Sequence, residues 1–349
     1  MEPLVIVTRN NYVESIHHGI VCITDAMGKI LYNVGNPDTE IFFRSAAKPF
    51  QAIPLIASGA ADHYRISLQE IAVACASHTG SKEHQETVRI LLERLGLHEH
   101  ALHCGIMWPL DKEEKQNLSL NQKMPSQLHC GCSGKHAAML ALAKYRNHSL
   151  ENYEEVDHPV QKEIMSMISE FSGEAVNSSR MGIDGCGAPI YLLPIKKIAL
   201  SYARLSIFSR DTNSLLHKSC KTIWNAMTGY PEMVAGHDRF CTHLMKVTND
   251  RIVAKIGSEG VYCLALKDGN IGVCIKIADG NERATAPAIM QLLKELDFIS
   301  KQEFMKLEQW HAPLLKNNSG HPIGRILPIF SLKNKIDYSI RLGDYIVSN

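Results

Sequence analysis

Ser45 and Lys48 stand three residues apart in the stretch Phe42-Phe43-Arg44-Ser45-Ala46-Ala47-Lys48-Pro49-Phe50-Gln51. On a helix that spacing puts both side chains on one face, with the amine within reach of the hydroxyl. A serine attacks a carbonyl only after a base takes its proton, and a lysine serves as that base when burial or a neighbouring cation depresses its pKa. Alone, the same spacing also suits a helix-capping serine beside a solvated lysine. Pro49 fits a helix only in its first turn, which places Ser45 at the helix start.

Three other groups could join this pair. Ser77-His78-Thr79-Gly80 puts a hydroxyl and an imidazole on a turn directly after an apolar stretch. Lys255-Ile256-Gly257 stands near the end of an apolar strand. A lysine there either faces solvent or lines a cleft, where it would depress another lysine's pKa by repulsion and activate a second serine. An S-x-x-K element followed later by K-x-G is the order met in penicillin-recognising serine hydrolases. Cys132, Lys135 and Cys186 lie in small-residue segments. Two thiolates and a neutral amine could hold zinc with one position open, yet small buried thiols fit the same residues, and the spacing matches no four-ligand structural zinc pattern.

The elements that must position these groups follow from periodicity and turn residues. Leu4–Arg9, Val13–Ile23 and Lys29–Val34 read as an antiparallel meander. Helices are expected over Phe42–Ser58, from the Ser67-Leu68-Gln69-Glu70 capping box through Ala74, after Ser81 to Gly96, from Cys132 with Ser133 as cap, and from Pro159 to Gly173. Residues 98–131 read mostly as loop. Gly182-Ile183-Asp184-Gly185-Cys186-Gly187-Ala188-Pro189 reads as a loop whose backbone approaches something closely. Helices at 195–207, 214–227 and 238–245 precede three strands, Arg251–Ile256, Val261–Leu266 and Ile271–Ala278, and two more helices, 284–296 and 301–310. The pattern predicts a single α+β domain over 1–349, with a sheet built from about 1–35 and 250–280 and a helical insertion over about 42–245.

Composition restricts the partners. Thirty-seven basic and 36 acidic residues give a formal net charge of +1, with no like-charge block to serve as a nucleic-acid or membrane footprint. The first residues do not make a secretory signal and no apolar run reaches membrane-spanning length. With ten cysteines read as thiols or metal ligands, the expected location is the cytoplasm.

Six blocks then speak together: R-S-A-A-K-P-F-Q, C-A-S-H-T-G, C-S-G-K-H-A-A-M-L, G-I-D-G-C-G-A-P, M-V-A-G-H-D-R-F-C-T and V-A-K-I-G-S-E-G. In this order, between about residue 4 and about residue 345, the chain resembles the rhizobial-type, or class 3, L-asparaginases of the asparaginase II family. The resemblance implies the serine β-lactamase, penicillin-binding-protein and glutaminase-like fold. It further implies hydrolysis of L-asparagine to L-aspartate and ammonia, by a homodimer. Ser45 and Lys48 would form one serine–lysine tandem and Ser77 and Lys255 the other. Cys132, Lys135 and Cys186 would bind zinc, with water completing the shell, and Arg44, His136 and Asp184 would grip the substrate's α-carboxylate and α-amino groups. Backbone N–H groups at Ser45 and near Ser77-His78 are candidate oxyanion donors.

The chain departs from that pattern at Cys130-Gly131, where asparagines are common, at Ala138, where glycine is common, and at His237-Asp238, where smaller residues are common. Cys130 could compete for the metal. Rival readings are a glutaminase, a penicillin-recognising peptidase and a catalytically silent zinc or amino-acid sensor.

Overall fold

The computed structural model describes residues 1–333 and 340–346. Its centre is an antiparallel sheet whose strands come from both ends of the chain. In chain order the strands of the molecule are β1 (Glu2–Arg9), β2 (Tyr12–Asp25), β3 (Ile30–Val34), β4 (Glu40–Phe42), β5 (Met181–Ile183), β6 (Pro189–Pro194), β7 (Ile252–Gly257), β8 (Val261–Leu266), β9 (Ile271–Ile277), β10 (Leu314–Lys316) and β11 (Pro322–Pro328). The large sheet runs β10-β11-β1-β2-β9-β8-β7. The long strand β2 carries β1 along its first half and β3 along its second, while β9 lies against its residues from Gly19 to Asp25.

Val273, Cys274 and Ile275 are all fully buried. Successive residues of a strand face opposite sides, so both faces of this sheet are covered. Helix Ile195–Phe208 lies so close on one face that a Cβ at Gly272 would stand 1.9 Å from Ala199 O. Lys255 pairs with Cys263, Cys263 with Cys274 and Cys274 with Cys22, so one row of side chains crosses four strands and ends at an amine.

The meander at the start and the three late strands appear where the sequence places them. The capping box forms as expected, with Ser67 accepting from Glu70 N–H and the Glu70 carboxylate accepting from Ser67 N–H at 2.7 Å. Gly173 ends helix Pro159–Ser172 in the left-handed region at φ 61°. Other expectations need correction. Phe42–Ser58 is not one helix but strand β4, a 3₁₀ turn Arg44–Ala47 and two short helices, Lys48–Gln51 and Ile53–Ala57, each with a proline in its first turn. Proline starts helices well and continues them badly.

Ser133 does not cap its helix. Cys132 takes that position, and the Ser133 hydroxyl turns to His78 Nε2 at 2.9 Å. Residues 98–131 contain helix Lys112–Leu120, capped by Asp111 accepting from Glu114 N–H at 2.9 Å. The glycine-rich stretch around Cys186 joins β5 to β6 in a small three-stranded sheet with β4. Finally, β10 and β11 extend the sheet beyond the 1–35 and 250–280 segments, because β11 pairs with β1. No described helix is long and apolar enough to cross a membrane.

Candidate active site

Helix Leu68–Ala74 is followed by Cys75-Ala76-Ser77, and the two sequence-predicted lysines converge on Ser77. Lys255 Nζ donates to Ser77 Oγ at 2.8 Å and to Ile256 O at 2.7 Å. Lys48 Nζ donates to Ala76 O at 2.5 Å, Ser77 Oγ at 3.1 Å, Cys132 Sγ at 3.1 Å and Gly131 O at 3.3 Å. Burial, and then the nearby positive charge of Lys48, pull the Lys255 amine down to about 7. An amine poised there is neutral in a large fraction of molecules at physiological pH, so it can take a proton from Ser77.

Ser45 sits in the 3₁₀ turn that the small sheet leads into, held from behind by Phe43 N–H donating to Tyr191 O at 2.8 Å and by Tyr202 O–H donating to Ala46 O at 2.7 Å. Among the described residues its hydroxyl makes no hydrogen bond, and Lys48 meets Ser77 instead. Arg44, immediately before it, takes a left-handed φ of 52°. Such a conformation costs a side-chain-bearing residue roughly 1–3 kcal/mol and is found where a neighbouring side chain must be presented at a sharp turn. On the other side, Gly257 comes close enough that a Cβ there would stand 3.3 Å from Ala46 N. Strand β7 therefore runs directly beside the serine.

The Ser77 and His78 backbone N–H groups donate to Val234 O at 3.0 Å and Gly131 O at 3.2 Å. They are committed and do not serve as oxyanion donors, contrary to the sequence-based expectation. His78 is also committed. Its Nδ1 accepts from Gly80 N–H at 3.1 Å, its Nε2 meets Ser133 Oγ, and burial with the stacked His84 ring keeps it neutral.

A sulfur cluster adjoins this hydroxyl–amine chain. One ligand atom each from Cys132, Asp184 and Cys186 lies within 4.8 Å of the others, and Lys135 Nζ donates to Cys186 Sγ at 3.0 Å. Tetrahedral zinc holds sulfur and oxygen ligands roughly 3.5–3.8 Å apart, so a small contraction of this set would accommodate an ion. Hydrogen bonds from Cys130 and Cys186, helped by Lys48 and Lys135, hold the Cys132 thiol well below its ordinary pKa, which favours the thiolate a metal needs. Burial opposes a charge on Lys135, but the sulfurs of Cys186 and Cys132 prevail and raise its pKa. Asp184 thus supplies a third donor that sequence reasoning assigned only to the substrate. Its carboxylate also accepts from Arg44 Nη2 and from Gly185 N–H, each at 3.0 Å.

Two buried N–H groups next to this cluster have no partner. His103 N–H donates to Tyr153 Oη at 2.8 Å and His136 Nδ1 meets the same oxygen at 2.7 Å; with the phenol proton given to Nδ1, the His136 hydrogen sits on Nε2, which is buried and unpaired. Arg44 Nε is buried and unpaired as well. Both residues were expected to grip substrate, and each keeps a donor for an acceptor the protein does not provide.

The family pattern of L-asparaginase II matches residues 5–328. The chain belongs to the L-asparaginase II family. Membership brings an asparaginase-type activity and a small-molecule substrate. Among solved structures, the chain is similar to a candidate β-lactamase from Bacteroides dorei, at 12% identity and a TM-score of 0.43, over 79% of this chain and 93% of that one. A β-lactamase from Mycobacterium bovis is similar at 12% identity and a TM-score of 0.37, over 84% of this chain and 95% of that one. No curated protein matches at a comparable level.

In this member of the family, Lys48, Ser77, Lys255, Cys132, Lys135, Cys186, Asp184 and Arg44 form one bonded network. Ser45 joins it through the backbone, Lys48 N–H donating to Ser45 O. Sequence reasoning passed over Tyr153, which orients His136, and noted Gly131 only as a departure from the family pattern, not as the carbonyl that accepts from Lys48. A tyrosine and a glycine carry no chemical signal in one sequence, so only the fold reveals them.

Proposed function

We propose that this chain is an L-asparaginase that hydrolyses the side-chain amide of L-asparagine to L-aspartate and ammonia through a serine ester. The observation that carries the reading is the Ser77 hydroxyl held between Lys48 and Lys255, one of them depressed to about 7, beside Ser45. Ser45 Oγ attacks the amide carbon. The Ser77 proton passes to neutral Lys255, Lys48 gives a proton to Ser77 Oγ, and the Lys48 amine freed by that transfer takes the Ser45 proton, so Lys255 ends as the ammonium while Lys48 and Ser77 regain their starting states. That stored proton then goes to the departing amide nitrogen. Water cleaves the aspartyl ester by the same path in reverse.

Arg44 Nε and His136 Nε2, the two unpaired buried donors, receive the substrate's α-carboxylate. The first-turn N–H groups at Ser45, which a helix leaves without internal acceptors, face the oxyanion. Cys132, Cys186 and Asp184, with Lys135 after loss of its proton, would hold zinc, and a zinc ion so bound would supply a positive anchor for the substrate's polar end. We also read the protein as a single-domain homodimer of the cytoplasm, checked by light scattering and cell fractionation.

The absence of a hydrogen bond on Ser45 Oγ favours a second reading, in which Ser77 itself is the nucleophile. Ammonia release from L-asparagine and L-glutamine, with Ser45→Ala and Ser77→Ala alongside, tests both. The first reading expects release from asparagine, none from Ser45→Ala, and an aspartyl adduct trapped by acid quench on the peptide carrying Ser45. An adduct on Ser77 moves the nucleophile. Comparable rates on the two amides make the enzyme a glutaminase as well, since one methylene separates the substrates by only about 1–3 kcal/mol. Asparagine binding with no release from either amide would support a sensor instead.

A further inference from the structure

All ten cysteines are free thiols; nine are buried, and Cys132 alone is partly exposed. Cys132 is thus the least buried of the ten cysteines. Behind that sulfur stands a thiol the reaction does not use. Cys130, two residues earlier across Gly131, is 4% exposed, has its thiol beside those of Cys104 and Cys132, and donates to Cys104 O at 3.4 Å.

We propose that Cys132 and Cys130 are a reversible oxidation site, at which a hydroperoxide oxidises Cys132 and Cys130 closes a disulfide on it. In the first step the Cys132 sulfur attacks the terminal peroxide oxygen. The O–O bond breaks, Cys132 becomes a sulfenic acid, and the leaving oxygen departs with the thiol proton as water or an alcohol. In the second step Cys130 sulfur attacks Cys132 sulfur. The S–S bond forms, the S–O bond breaks, and the hydroxide leaves with the Cys130 proton as water. Two electrons pass from the thiol pair to the peroxide, and a thiol reductant returns them.

Cys186 also touches Cys132, but Lys135 Nζ holds its sulfur at 3.0 Å and the metal-capable set includes it. Cys130 has no charged partner and shares a loop with Cys132, so it closes the shorter ring. The consequences reach both halves of the site. Cys132 Sγ accepts from Lys48 Nζ and belongs to the cluster that could hold a metal, so the disulfide and a bound ion compete for one sulfur. Gly131 O, between the two cysteines, accepts from Lys48 and from His78 N–H, and ring closure displaces it.

The test reads sulfur directly and does not depend on the substrate assignment. Purified full-length protein is treated with equimolar hydrogen peroxide, its remaining thiols are blocked with iodoacetamide, and it is digested with trypsin without reduction. The expected result is a Met124–Lys135 peptide with both cysteines unalkylated and two hydrogens missing, a thiol count falling from ten to eight, and a return to ten with dithiothreitol. In Cys130→Ser given a several-fold excess of peroxide, a second peroxide carries the Cys132 sulfenic acid on to the sulfinic acid, because no thiol resolves it, and dithiothreitol no longer restores its alkylation. The wild-type map stands whether or not that variant folds. Alkylated Cys130 and Cys132 after peroxide, a cross-link from either one to the peptide of Cys104 or Cys186, or full recovery in Cys130→Ser would each overturn the proposal.

Discussion

Lys48 Nζ lies 3.1 Å from both Ser77 Oγ and Cys132 Sγ, so a single amine nitrogen joins the hydroxyl–amine chain to the sulfur cluster. A substitution at Cys132 therefore acts on two systems together. Cys132→Ala should weaken metal affinity and lower kcat, each by roughly 10–100-fold, and the kcat loss should persist at saturating asparagine. Steady-state kinetics on metal-replete protein separates the effects. A change confined to KM would show that the sulfur serves binding and that Lys48 does not carry its influence to the proton path.

The pH profile should report Lys255. Its amine faces Lys48, Cys75, Cys132 and Cys241, and burial with Lys48 brings it down to about 7. It accepts a proton only when unprotonated, so kcat/KM should climb with pH through about 7, with unit slope below, and level off above. An acid limb that stays flat between about pH 6 and 8 would remove Lys255 from the proton path.

The same residue should cost stability. In the unfolded chain this amine titrates near 10.5, whereas in the fold it titrates near 7. Between those values the unfolded state binds the extra proton, so the Lys255 contribution to stability rises with pH across that window and is at its worst, and constant, below it. Lys255→Met should therefore raise the unfolding free energy by roughly 2–4 kcal/mol at pH 6, with the gain shrinking towards pH 10, while abolishing turnover. Denaturant titrations at the two pH values measure this. A variant no more stable than the parent would mean that the bonds to Ser77 and Ile256 offset the desolvation.

How much of this was legible in the sequence differs by scale. Residues whose neighbours are local declared themselves: the Ser67–Glu70 capping box and Gly173 as a helix stop. Helix Lys112–Leu120 did not, because apart from Leu118 and Glu114 its residues are not buried and it carries no apolar period. Strands β4 and β5 are three residues each, too short for alternation to register. At the site, residue types marked the lysines, serines and thiols, but not who pairs with whom. The S-x-x-K spacing pointed Lys48 at Ser45, whereas Pro49 confines the helix and the lysine side chain crosses to Ser77. Long-range partners such as Ser77 and Lys255, 178 residues apart, are a product of the sheet.

Asp184 offers the sharpest division between the two roles its position allows. The carboxylate is one of three ligand atoms within 4.8 Å, and it also holds Arg44 Nη2 at 3.0 Å. Asp184→Asn keeps an oxygen for Gly185 N–H but removes the charge that both a cation and Arg44 use. If Asp184 is a metal ligand, zinc affinity measured by competition with a chelator, in the absence of substrate, should fall about 10–100-fold. If it only orients Arg44, zinc affinity should be unchanged while KM for asparagine rises. Arg44→Lys then distinguishes the remaining route: it loses the forked guanidinium that Asp184 meets and should raise KM without touching zinc affinity. A loss of zinc affinity in Arg44→Lys as large as in Asp184→Asn would mean that the ion pair, and not the carboxylate alone, shapes the metal-capable cluster.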